Sequence, residues 1–221
     1  MEDLATARIS VAQIAQRVLH SGTTGELALE GLTLTGGSDP GTPGGGGVYA
    51  NSGMAMTDVV VTGNSTTGTG GGVFVRGPLT ATRSVISANT SFDGGGGVRT
   101  SGGLTLVDSV VEGNGSLGGG GGALAIGGAD LVRSRVTGNV PSTDGGVIRA
   151  TGDVTATAST ISGNATSGLG GGIHTSGTVV LTDSSVMGNT AASGGGIHAP
   201  IVDLDRTTVA GNSAVAGAGG G

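Results

Sequence analysis

The sequence predicts an all-β protein: a right-handed parallel β-helix of about eight coils with a 25-residue repeat, preceded by a short amphipathic helix. Three observations predict it. Asn64, Asn89, Asn114, Asn139, Asn164 and Asn189 lie 25 residues apart, and Asn212 follows after 23. Between them, apolar residues alternate with polar ones in short runs. Of the 221 residues, 51 are Gly, against two Phe, one Tyr and no Trp, so the interior must be thin and filled by small side chains. A self-similar period of about 20–50 residues marks a solenoid or related array.

Each 25-residue unit reads as strands. One column of apolar residues runs through Met54, Leu79, Leu104, Ala129, Val154, Val179 and Val202. Two residues on, a second runs through Met56, Ala81, Leu106, Leu131, Ala156, Leu181 and Leu204. A third precedes the Asn positions (Val61, Ile86, Val111, Val136, Ile161, Val186, Val209), and a fourth follows the Gly runs (Val48, Val73, Val98, Ala123, Ile148, Ile173, Ile197). Alternation with period two puts each column on one face of a short strand. Three short strands per unit, separated by turns, make a three-sided coil. Coils stacked at the ~4.8 Å spacing of paired strands turn each column into a ridge of like side chains.

The turns carry their own signals. Gly runs such as Gly70 to Gly72, Gly94 to Gly97 and Gly194 to Gly196 precede the fourth column, where stacked backbones approach closely. No helical pattern follows them, so a phosphate-cradling loop is not indicated. Stacked Asn amides are expected to bond along the axis and satisfy buried turn backbone. The sequons at Asn64, Asn89, Asn114 and Asn164 read as accidents of a Ser/Thr-rich chain. Asp58, Arg83, Asp108, Arg133, Ala158, Asp183 and Arg206 form a further column. Its sign alternates from coil to coil with one interruption, the pattern of a register-setting charge ladder.

The ends differ from the middle. Leu4, Ala7, Val11, Ile14 and Val18 follow helical spacing, so residues 1–20 are expected to form an amphipathic lid on the solenoid of residues 21–221. At the other end, residues 217–221 (GAGGG) read as the Gly run of an incomplete eighth coil. That coil is expected to rest on another chain or on further coils, making it a candidate surface for self-association.

Strings such as LTLVDSVVEGN (104–114), ATASTISGN (156–164) and VLTDSSVMGN (180–189), the last two followed by GGG and Ile within the next coil, resemble the Gly-rich β-helix repeats of bacterial surface proteins. These are of the polymorphic outer-membrane-protein type, within the broad pectate-lyase-like superfamily. The resemblance covers residues 27 to 221. It implies the fold, an extracellular or cell-surface setting, and a role as a non-catalytic structural or adhesive module. The alternative it leaves open is a carbohydrate-active, polysaccharide lyase- or hydrolase-like β-helix.

Composition narrows the chemistry. A net charge of −6 argues against nucleic acid as partner. There is no Cys for disulfides or thiolate sites. No apolar run reaches the ~20 residues of a membrane span, and no secretory signal pattern opens the chain. No cofactor site, metal site or catalytic residue is assigned. Asp203 and Asp205, near Asp183 and Arg206, are the nearest approach to a carboxylate pair, yet the preceding coil offers only Val180 and Thr182 on that face. Asp130 stands alone between Thr105 and Thr155. His174 and His198 lack a third metal ligand. A T-x-T array for ice is broken in most coils. The candidate binding strip is the outward column beside the fourth ridge: Tyr49, Phe74, Arg99, Arg149, His174 and His198, with Leu124 among them. Rings and guanidinium forks aligned on a rigid wall are suited to a carbohydrate or protein ligand.

Overall fold

The computed structural model describes residues 17–22, 25–141 and 145–216. These form a parallel β-solenoid in which three eight-stranded sheets run the length of the stack. The coil around residue 100 shows the plan. Val98–Thr100 lies in the first sheet, Leu104–Val107 in the second and Val110–Glu112 in the third. A two-residue strand, Gly115–Ser116, adds a narrow fourth ladder that the sequence columns did not announce. Every strand pairs in parallel with its equivalent one coil away: Leu79 with Leu104, Leu104 with Ala129, Val85 with Val110. The predicted register is the observed register.

The four apolar columns line a single continuous core. Leu79, Leu104, Leu106, Val111, Ile148, Ile173 and Leu181 are all 1% exposed or less. No coil could bury these side chains alone, so each rung depends on the rungs above and below.

Two corners of every coil require left-handed backbone. The charged column occupies the corner between the second and third sheets, where Asp58, Arg83, Asp108, Arg133, Ala158, Asp183 and Arg206 have φ between 46° and 55°. The corner before the Asn column is Gly63, Gly113, Gly138, Gly163, Gly188 and Gly211, with Ala88 at φ 52° in the one place that lacks Gly. The Gly runs are required for a different reason. A Cβ at Gly96 would collide with the carbonyl oxygens of Gly115 and Gly121, where stacked turns touch backbone to backbone.

Side-chain ladders fasten these corners. The amide oxygen of Asn114 accepts from the backbone N–H and the side-chain amide of Asn89, both at 3.0 Å, while its own nitrogen donates to the Ile86 carbonyl at 2.9 Å. The pattern repeats along the column, and all seven Asn are buried, six of them to 1% or less. The four sequon Asn are therefore enclosed and fully bonded, which removes them as glycosylation acceptors in the folded chain. A second ladder follows the charged corner. Ser84 Nα donates to Ser109 Oγ at 3.0 Å, Ser109 to Ser134, Ser134 to Ser159 and Ser159 to Ser184. Each of these hydroxyls donates onward to a carbonyl, as Ser109 Oγ does to Val107 O at 2.8 Å. Ser and Asn thus do the same work at two corners: they give buried N–H groups an acceptor.

The expected N-terminal lid lies almost wholly outside the described residues. Where it overlaps them it is replaced: Leu19–Ser21 is a strand, paired with Val48–Ala50. The solenoid therefore starts inside the segment read as helix. Pairing with the free edge of the next coil satisfies backbone groups, and Val18 and Leu19 pack on the core; both outweigh helical spacing in so short a segment.

Candidate functional site

The candidate strip lies on the first sheet, on the face away from the core. Tyr49 pairs with Phe74, Phe74 with Arg99, Arg99 with Leu124, Leu124 with Arg149, Arg149 with His174 and His174 with His198. One side chain per rung therefore stands directly above the last, as period-two alternation requires. His20 precedes them, paired with Tyr49. The column thus holds all three His of the chain, a membership hidden by the helical reading of residues 1–20.

The rings stack along the axis instead of facing solvent. Tyr49 and Phe74 lie parallel, with centroids 5.4 Å apart and planes 7° from one another. His20 meets Tyr49 edge-on at 4.8 Å, and the Arg17 guanidinium sits 4.8 Å from the Tyr49 ring centroid. Tyr49 and Phe74 are buried as a result. Arg17 is fixed by donation to the Gly44 and Gly45 carbonyls and to Asp39. These aromatics bind each other, and the surface offered outward begins at Arg99.

From Arg99 upward the strip is half-buried and cationic. Burial lowers the pKa of the Arg99 guanidinium, which bonds the Thr100 carbonyl at 3.1 Å. Among the described residues neither Arg99 nor Arg149 has a carboxylate partner, whereas Arg17, Arg83, Arg133, Arg135 and Arg206 all do. His174 and His198 meet edge-on at 5.3 Å. No group of three or more His, Asp or Glu among the described residues is placed to hold a metal ion.

The carboxylates that sequence brought forward are engaged elsewhere. Arg206 donates to Asp183 at 2.6 and 2.9 Å and to Asp205 at 2.6 Å. Asp130 accepts from the Thr155 hydroxyl. The charged column forms bidentate pairs across rungs, Arg83 to Asp58 and Arg133 to Asp108. Each of these Arg side chains, hydrogen-bonded to its Asp, holds the Asp58, Asp108 and Asp183 carboxyls below their ordinary pKa.

The chain matches no protein-family model, and no curated protein or solved structure is significantly similar to it.

One exposed apolar feature had no signal in the columns. Phe92 and Leu117 stand on successive rungs beside the narrow fourth ladder and are 58% and 55% exposed. Each follows a buried Ser, Ser91 and Ser116, so alternation from that Ser was the sequence signal that could have found them.

Proposed function

We propose that this chain is a non-catalytic structural or adhesive module, a stiff rod that displays side chains in fixed register. What carries the reading is where the polar chemistry goes. Asn, Ser and the paired Asp and Arg side chains are spent on the contacts between rungs. The surface left for a ligand is the cationic strip of Arg99, Arg149, His174 and His198, with Phe92 and Leu117 nearby in the coil. Repeated rungs on a rigid backbone suit extended contact with a carbohydrate or protein partner. The repeats' resemblance to Gly-rich β-helices of bacterial surface proteins, in the pectate-lyase-like superfamily, supports the same reading. It also supports a right-handed coil, the hand that parallel strand connections adopt almost without exception.

The test separates display from catalysis. The protein is incubated with acidic and neutral polysaccharides, and both retention on the immobilised polymer and newly released reducing or unsaturated ends are measured. The proposal expects retention, weakened in the Arg99→Ala/Arg149→Ala double variant, and no released ends. Release that disappears in Asp203→Asn or Asp205→Asn would overturn it.

A further inference from the structure

The two ends of the stack differ. In the first described coil, Leu29, Leu32 and Leu34 are 8%, 8% and 0% exposed. In the last, the core-column residues Val202 and Leu204 are 44% and 45% exposed, and Ile201 beside them 60%. One rung below, Val179, Leu181 and Val186 are fully buried at 0%. The last rung also leaves the outer edge of Ile201–Asp205 without a paired strand among the described residues. An apolar rim bordered by open strand edges is a template for another strand.

We propose that this end binds a second copy of the chain, tail to tail, through antiparallel pairing of the two Ile201–Asp205 strands about a twofold axis. The closed first coil selects this arrangement. Head-to-tail stacking would set the open rim against an end whose apolar side chains are already buried, whereas two open rims cover each other and the assembly closes at two copies. The register follows from the side chains. Val202 and Leu204 face the core and Asp203 lies between them. A twofold axis normal to this sheet keeps the inward face inward. Centred on Asp203, it places Val202 of each copy opposite Leu204 of the other and carries both apolar columns across the junction. A shift of two residues would set one apolar side chain against Ile201 of the outward row's end or against Arg206, and break a column. The centred register also brings the two Asp203 carboxylates together, a like-charge contact that weakens the dimer at neutral pH.

Sedimentation of the full chain across micromolar concentrations tests the proposal, together with three variants. The parent is expected to sediment as a monomer–dimer mixture. Leu204→Asp should be monomeric, and Asp203→Asn should dimerise severalfold more tightly than the parent. Because the chain has no native Cys, Asp203→Cys should oxidise to a covalent dimer, while Thr33→Cys in the first coil should not. A parent that stays monomeric at all concentrations, open-ended larger species, or equal affinity in Asp203→Asn and the parent would each overturn the proposal. Circular dichroism of every variant confirms that it is folded.

Discussion

Asn139 shows most directly how single residues hold this molecule. Its amide oxygen accepts from the Asn114 N–H and side-chain amide, both at 2.9 Å, and its nitrogen donates to the Val111 carbonyl at 3.0 Å. The site is fully buried, so no water replaces a lost partner. Replacing Asn139 with Leu is expected to destabilise the protein by ~1–3 kcal/mol, the cost of stranding buried polar groups; urea midpoints at unchanged slope check this. Ala88 makes the opposite case. It holds φ 52° in a column whose other members are Gly. A left-handed conformation costs a non-Gly residue about 1–2 kcal/mol, and the greater freedom of Gly in the unfolded chain offsets part of that. Ala88→Gly is therefore expected to raise stability by about 0.5–1 kcal/mol, read as a higher urea midpoint. The Asn column was legible from spacing alone. The equally regular column of Ser84, Ser109, Ser134, Ser159 and Ser184 was not singled out, because Ser is abundant in this chain and its hydroxyl carries no signature until the corner geometry is known.

At the scale of strands and corners, the sequence columns foretold the three sheets and their register, because period-two alternation and a fixed repeat leave no other pairing that buries every ridge. What they did not reveal was the conformation of the charged corner. Alternating Asp and Arg read as a surface ladder. The structure adds that the same residues sit at left-handed φ, so the bidentate pairs Arg83–Asp58, Arg133–Asp108 and Arg206–Asp183 lie over strained turns. Their pH dependence has a definite sign. The folded-state carboxyl pKa values lie below those of the unfolded chain, chiefly through the Arg hydrogen bonds. The stabilisation is therefore present above the ordinary carboxylate pKa and is lost as pH falls through the lowered values. The melting temperature is expected to fall on acidification below about pH 4, and the fall should shrink at high salt because the pairs are exposed. The Asp58→Asn/Asp108→Asn/Asp183→Asn variant should show a flatter profile in the same titration. Residues 1–20 mark the limit of pattern reading. Helical spacing in Val11, Ile14 and Val18 could not foresee that Leu19 and His20 would join the first sheet, since a strand added at an edge is selected by its neighbour.

For the whole molecule, the same economy governs stability and function. A rod of equivalent rungs, each held by its neighbours, has no single site that the rest exists to support, and this is why fold was far more legible than ligand. The strip illustrates the difference. Its membership could be read from spacing, but not that Tyr49 and Phe74 would stack along the axis and withdraw from the surface, leaving Arg99 and Arg149 as its open cations. The central claim is that rungs are interchangeable units fastened by ladders of side chains, and excising one rung tests it most directly. Removal of residues 138–162, one full 25-residue period, joins Thr137 to Gly163 and puts Asn164 above Asn114. It also deletes Ala158, the one interruption in the charged column, so Arg133 and Asp183 become neighbours. Urea unfolding of the excised chain, followed by circular dichroism, is predicted to show a cooperative transition with the parental β-sheet spectrum. Its slope should be smaller by roughly an eighth, in proportion to the surface removed. A chain that does not fold, while excision of a full period elsewhere in the stack is equally disruptive, would contradict the account.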